Sequence, residues 1–213
     1  MKSPIRNIVI VLSALSVLLI PAVSFASLAP TLNQTVNTGT LSADILQSDD
    51  ATTVAAPTVA FSALNRSFSC QTSTGTLGDT NNKLNVTNFG ANNGWTLTMA
   101  ATTGPTATWT SGANTYKFND ATGTGCTNGQ LTVDPSVGTA TTDCSAVCNG
   151  VTVNKGSSTA YVSGTVNTVT LLSTSSGTAW KGYLTGIGLS QKVPASQPAG
   201  SYALPLTITV TAQ

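Results

Sequence analysis

From Trp95 to Met99 the chain alternates apolar with hydroxyl-bearing residues, Trp95-Thr96-Leu97-Thr98-Met99, and it does so again at Leu206-Thr207-Ile208-Thr209-Val210-Thr211. A side-chain period of two puts the apolar residues on one face of an extended strand and the threonines on the other. Further strand signals fall at Ala56–Leu64, Lys83–Thr87, Ala107–Thr110, Thr115–Phe118, Gln130–Val133, Val151–Val153, Thr159–Val162 and Val166–Leu172. Clusters of Gly, Asn, Asp and Ser separate them, as at 88–94, 119–129 and 154–158, and no stretch sustains a helical period with caps. The expected fold is therefore all-β, a single antiparallel sandwich or barrel-like domain with few or no helices. Threonine suits such a fold, with its branched carbon on the pleat and its hydroxyl on the wet face. Charged residues make up only 7%, which could signal disorder, but 40% hydrophobic residues in alternating runs indicate a packed core.

Ahead of that domain, Lys2 and Arg6 precede an apolar run from Ile8 to Ile20, then Pro21 and a small-x-small site at Ser24-Phe25-Ala26. This is the pattern of a secretory signal peptide over 1–26. The run is short for a bilayer crossing and no second one follows, so no membrane span is expected after cleavage. Residues 27–53 read as an N-terminal strand and connector, with Leu41, Ile45 and Leu46 as their apolar content, and 54–213 as the β domain. An ordinary edge strand and loop is the favoured reading of the connector; the alternative is an arm that pairs with a neighbouring molecule.

Four cysteines, Cys70, Cys126, Cys144 and Cys148, in an exported chain imply two disulfides. Of the three pairings, the favoured one joins Cys144 to Cys148 across a short loop and leaves Cys70 with Cys126; spacing alone leaves the connectivity open. Irregular spacing without histidine argues against a zinc site.

The chain has no histidine and no glutamate, which removes Ser-His-Asp and Cys-His devices and any HExxH zinc site. A non-enzymatic protein without cofactor or metal is expected. Beyond the leader, Arg66, Lys83, Lys117, Lys155, Lys181 and Lys192 are scattered singly against seven aspartates, so no nucleic-acid partner is expected. Asp120 with Asp134 could hold calcium, but turn chemistry explains both more simply. Lys83, Lys117 or Lys155 could form an isopeptide cross-link only beside a buried acid.

Two segments carry a resemblance. One is Asn93-Gly94-Trp95-Thr96-Leu97-Thr98, a Trp-x-Leu strand entered through glycine; the other is Ala199-Gly200-Ser201-Tyr202 followed by Leu206-Thr207-Ile208-Thr209-Val210. Together they resemble the WxL family of bacterial cell-surface proteins, with a proximal Trp-x-Leu and a distal Tyr-x-x-x-Leu-Thr-Trp-x-Leu. Gly39-Thr40-Leu41 and Pro57-Thr58-Val59-Ala60-Phe61 fit the leading elements, so the likeness spans about 39–213. In the distal motif Ile208 stands in place of tryptophan and Val210 in place of leucine. The resemblance implies a secreted protein attached non-covalently to the cell wall, with peptidoglycan as the usual ligand.

No cysteine follows the cleavage site to take a lipid and no sorting tail closes the chain, so retention at the surface would come from the folded domain. Exposed aromatic faces are natural sugar platforms, and Trp109, Tyr116, Trp180 and Tyr183 are the candidates. Trp95 is in phase with Leu97 and Met99, which points it into the core rather than toward a polymer. Tyr202 shares the phase of Leu206, Ile208 and Val210, with a hydroxyl suited to tying down a turn. The alternative is a subunit of a filament or surface layer, partnered by other surface proteins or by itself, in which 199–213 or 27–46 completes a neighbour's sheet.

Overall fold

The structure, a computed structural model, describes residues 34, 39–90, 93–120, 128–144, 148 and 150–213. The expected leader, most of 27–38 and Cys126 lie outside them. The fold below is that of the unit Asn37–Gln213.

Fourteen strands are described: β1 (Leu41–Leu46), β2 (Gln71–Leu77), β3 (Lys83–Asn88), β4 (Trp95–Ala101), β5 (Thr108–Ser111), β6 (Asn114–Lys117) and β7 (Gln130–Asp134) lead. They are followed by β8 (Thr139–Thr142), β9 (Asn154–Lys155), β10 (Thr159–Ala160), β11 (Thr168–Thr174), β12 (Trp180–Thr185), β13 (Ile187–Val193) and β14 (Leu206–Ala212). Every pairing is antiparallel, in three four-stranded sheets ordered β1-β3-β12-β8, β10-β7-β13-β2 and β14-β4-β11-β9, plus the hairpin β5-β6. The described helical segments include single 3₁₀ turns at Gly104–Thr106 and Pro135–Val137. The chain is all-β and sandwich-like, with no closed barrel.

The first two sheets are joined at a corner. β2, β13 and β7 are neighbours in one sheet, and β3, β12 and β8, the strands that adjoin them in sequence, are neighbours in the same order in the other. Three ribbons therefore pass from sheet to sheet side by side, the arrangement by which sheets pack across a bend. At the crossings stand Gly78, with φ 85°, and Gly186, with φ 73°, and Gly186 N–H donates to Gly78 C=O at 2.8 Å. Such angles cost an L side chain about 1–2 kcal/mol, so glycine is what lets these strands turn without strain. The third ribbon bends through the Pro135–Val137 turn, where Asp134 accepts a hydrogen bond from Ser136 N–H. Lys155 Nζ secures that bend by donating to the Ser136 and Gly138 carbonyls, each at 2.6 Å.

One continuous apolar core results, including Leu84, Val86, Trp95, Leu97, Leu131, Leu171, Trp180 and Ile187, all at most 1% exposed. β4 shows the sequence pattern most clearly: Trp95, Leu97, Met99 and Ala101 are buried while Thr96, Thr98 and Ala100 are half-buried. Polar groups inside are paired where the core needs them. Tyr161 Oη donates to Met99 C=O at 2.7 Å, and Asn85 Nδ2 donates to Gly182 C=O at 3.0 Å.

Several sequence expectations change. Ala56–Leu64 is not a strand but an extended segment that meets β2 at the Phe61–Gly75 bridge and at Ser62; Pro57 lacks a ladder donor, and most of the segment is exposed. Val151–Val153 is not a strand either, and pairing begins at Asn154. Conversely β2, β8, β12 and β13 are strands that the alternation did not mark. The connector supplies β1, an edge strand paired with β3 over Leu41–Leu46, and the C-terminal segment supplies β14, an edge strand paired with β4. Both segments considered as donors to a neighbour's sheet thus include a strand already paired within the chain. Cys144 and Cys148 are bonded, with Cα atoms 5.9 Å apart, and Lys181 N–H donates to Cys144 Sγ, holding that loop against β12. Cys70 is also disulfide-bonded.

The corner yields a graded expectation. A Cβ at Gly186 would meet nothing closer than 3.8 Å, so Gly186→Ala should cost only the backbone term of about 1–2 kcal/mol. At Gly78 the added carbon would lie 3.0 Å from Thr185 Cα and 3.1 Å from the Leu184 carbonyl, so Gly78→Ala should cost measurably more. Denaturant melts of the two variants check this; equal losses, or a smaller loss at Gly78, would show that the corner does not depend on this close approach.

Candidate functional site

The two motif-bearing segments meet. β14 lies beside β4 in register, Ile208 opposite Met99, Val210 opposite Leu97 and Ala212 opposite Trp95. Trp95 and Leu97 have no exposed surface, and Leu206, Ile208 and Val210 are half-buried against the same core. The Trp95 ring packs on Trp180 with centroids 5.3 Å apart. Trp180 Nε1 donates to Thr142 Oγ1 at 3.2 Å, whereas Trp95 Nε1 has no partner among the described residues and bears an unreturned desolvation cost. Pro205, lacking a ladder donor, sits where β14 begins at the sheet edge.

Tyr202 does what its phase suggested. Its hydroxyl donates to Pro198 C=O at 2.9 Å and accepts from Gln197 Nε2 at 2.7 Å, fastening the turn before β14. Its ring packs against Tyr116, centroids 5.2 Å apart.

The premise of four exposed sugar platforms is corrected. Trp180 is 1% exposed and belongs to the core beside Trp95. Tyr183 is half-buried with the Lys83 ammonium 4.7 Å from its ring centroid, and Lys83 in turn is bound to Asp50 at 2.7 Å. That hydrogen bond raises the Lys83 pKa, which keeps the amine protonated and works against the isopeptide chemistry considered for it. Asp120, considered for calcium, is held by Lys117 at 3.6 Å and by Asn128 Nδ2 at 3.0 Å. Trp109 and Tyr116 are each 8% exposed, covered by one another and by Phe61 and Tyr202, at the base of a cleft.

That cleft has a volume of about 550 Å³. Its floor is the β5-β6 hairpin, in which Trp109 and Tyr116 are cross-strand partners with stacked rings 6.1 Å apart. Phe61 meets Trp109 edge-on at 5.4 Å and Tyr202 meets Tyr116, so four rings form one contiguous array. Trp109 Nε1 donates to Gln191 Oε1 at 2.8 Å, and Gln191 Nε2 donates to Lys192 C=O, which ties the hairpin to β13 with both ends of a buried amide satisfied. Around the rim, Ser196 N–H donates to Ser67 C=O at 2.7 Å, with Ser196 itself in the left-handed region at φ 61°. Ser62 N–H donates to Thr74 C=O, pinning the opposite wall to β2.

Part of the polar equipment of the cleft is unspent. The side chains of Asn65, Arg66 and Gln71, and the Tyr116 hydroxyl, make no hydrogen bond or ion pair among the described residues. Among the described residues no carboxylate lines the cleft, and those that do line it can bind and orient a ligand. Sequence reasoning named Trp109 and Tyr116 but missed Phe61, Gln191 and Tyr202 as cleft residues. The glycine at 112 between two short alternating segments was the available signal, since a two-residue hairpin there sets Trp109 directly opposite Tyr116.

Trp95 reads as a structural residue, and Trp95→Ala should lower stability by about 3–5 kcal/mol, the usual range for emptying a large aromatic from a core. Thermal melts check it, and an unchanged melting temperature would place the ring outside the packing scheme described above. Alkaline pH tests the buried tyrosines. Burial raises the Tyr161 and Tyr116 pKa values above the ordinary 10.0, so their neutral forms favour the folded state. Their contribution is complete below about pH 10 and lost as pH rises toward the folded-state values, because only the unfolded chain ionises freely. Tyr161→Phe should therefore be less stable at neutral pH, having lost the bond to Met99, yet lose stability less steeply above pH 10; parallel slopes in pH-dependent melts would contradict this. Compared with known proteins, the chain matches no family model, no curated protein and no solved structure.

Proposed function

We propose that this chain is a secreted bacterial cell-surface protein, held non-covalently at the cell wall by its β domain, with peptidoglycan as the polymer it grips. The observation that carries the reading is the pairing of β4 with β14: the Trp95-x-Leu97 strand and the Leu206–Ala212 strand, which bear the resemblance to WxL proteins, are hydrogen-bonded neighbours in one sheet. Segments separated by more than a hundred residues thus act as one structural unit, as a paired signature requires. The Cys144–Cys148 disulfide suits an oxidising compartment. The absence of histidine and glutamate leaves a binding role better supplied than a catalytic one. Because Trp95 and Leu97 are buried, the motif maintains the domain and the polymer contacts lie elsewhere.

Co-sedimentation of the purified exported chain with bacterial sacculi tests the reading, with analytical ultracentrifugation of the free chain alongside. Sedimentation with sacculi by a chain that is otherwise monomeric is the expected result. Failure to sediment, or ordered polymers in electron micrographs of the free chain, would replace wall attachment with a filament or surface-layer role.

A further inference from the structure

We infer that the cleft floored by Trp109 and Tyr116 is a saccharide subsite, and that the sugar it takes carries an anionic group met by Arg66. The inference rests on the wall-attachment reading for its biological setting, but its chemistry is argued from the cleft alone. A pyranose has an apolar C–H face and a rim of hydroxyls, so it needs aromatic carbon beside unpaired hydrogen-bonding groups. The cleft offers both within about 550 Å³, a volume in the ordinary range of small-ligand sites. Phe61 and Tyr202 are half-buried and flank the more deeply buried pair.

Tyr116 is the most telling residue. It is 8% exposed and lines the cleft, yet its hydroxyl has no hydrogen-bond partner among the described residues. That oxygen is not sealed from solvent: it opens into the cleft, where a ligand hydroxyl would take the place of water as its partner. Gln191, by contrast, spends its amide on Trp109 and Lys192, so it serves as the fixed brace of the floor. The division between braced and unspent polar groups is that of a preformed site.

Charge narrows the ligand further. Arg66 is the single charged residue of the described lining, and it has no ion pair among the described residues. A guanidinium that shares this lining with unpaired Asn65 and Gln71 is matched to a carboxylate or phosphate on the sugar, since it can donate two parallel hydrogen bonds to either. The ligand is thus an anion-bearing pyranose, its anion either a carboxylate ether on an amino sugar or a phosphate on a secondary wall polymer.

Isothermal titration of the purified exported chain separates the cases, using a neutral N-acetylglucosamine trimer, a soluble fragment containing N-acetylmuramic acid with its carboxylate free, and a sugar phosphate. Of the two anionic probes, the one carrying the native type of anion should bind at least about tenfold tighter than the neutral trimer, as expected for a hydrogen bond to a charged group. Arg66→Gln should abolish that preference while leaving the neutral trimer's affinity within about twofold, since it removes only the charge-assisted bond. Tyr116→Phe, which keeps the ring stacking, should weaken all bound probes several-fold with melting unchanged. Equal affinity for charged and neutral sugars, no effect of either variant, or binding of a proline-rich peptide in place of any sugar would overturn the assignment. Sacculus sedimentation of the same variants keeps the two readings apart. Wild-type sedimentation that survives the double substitution defeats the cleft and spares wall attachment; soluble-sugar binding lost in the variants, without any sedimentation by the wild type, does the reverse.

Discussion

The fold depends on a bend that three ribbons make together. β2 runs into β3, β12 into β13 and β7 into β8 across one line, and the order of strands is the same on either side of it. If one ribbon failed to turn there, its second half would fall out of register with two neighbours at once, because each sheet's pairing presupposes the other's. The backbone conformations at Gly78 and Gly186 are what make the turn available without side-chain strain, and the hydrogen bond between those two residues fixes one crossing against the next. The third ribbon solves the same problem by different chemistry, a proline-initiated 3₁₀ turn braced by Asp134 and by the Lys155 ammonium. In a chain so poor in charge, spending a lysine on two backbone carbonyls indicates how much the bend needs to be held.

The packing then explains why the residues most conspicuous in sequence are structural. Trp95 sits where β4 faces Trp180 of another sheet, so it bridges the sheets whose relative placement the core secures. Its indole N–H, without a partner among the described residues, indicates that packing outweighs polar satisfaction at that position: burying a large aromatic is worth more than the bond forgone. The Tyr202 ring and hydroxyl serve two ends, the ring closing the aromatic array and the hydroxyl locking the 197–202 turn.

How much of this was legible in the sequence follows from what each residue had to encode locally. β4 and β14 were readable because one face is apolar and the other hydroxylic, β3 because Leu84 and Val86 alternate with polar residues, and β11 because Val169, Leu171 and Leu172 stand among threonines. β2, Gln71–Leu77, was not readable: its inward positions include Ser73, whose hydroxyl is bonded to Ser62 C=O, so a polar residue does the work of an apolar one. β13 hides its phase in the same way, with buried Gln191 continuing the face begun by Ile187 and Leu189. Ala56–Leu64 misled in the opposite sense: it meets the edge strand β2 only around Phe61 and Ser62, too briefly for a ladder, so its apolar content makes an extended wall and not a strand. The cleft was half legible for a topological reason. Its floor is a local hairpin, but its walls come from the 59–67 and 194–202 segments, which lie far apart in sequence and meet at Ser196 and Ser67.

The corner and the cleft are linked through β13. That strand begins beside Gly186 and passes the hairpin at Gln191, so the floor of the cleft is referred by a hydrogen-bonded amide to a strand whose path the bend determines. The walls are tied to the same frame. The 59–67 segment is joined to β2 by the Phe61–Gly75 bridge and by bonds between Ser62 and both Ser73 and Thr74. The 194–202 segment is fastened by the Tyr202 hydroxyl, by Ser196 on Ser67 and, just beyond it, by the paired backbone bonds of Ala203 with Thr110. Of the two described non-glycine residues with positive φ, Ser196 lies in the wall segment and Asp50 in the turn after β1, so this backbone strain falls outside the strands that carry the floor.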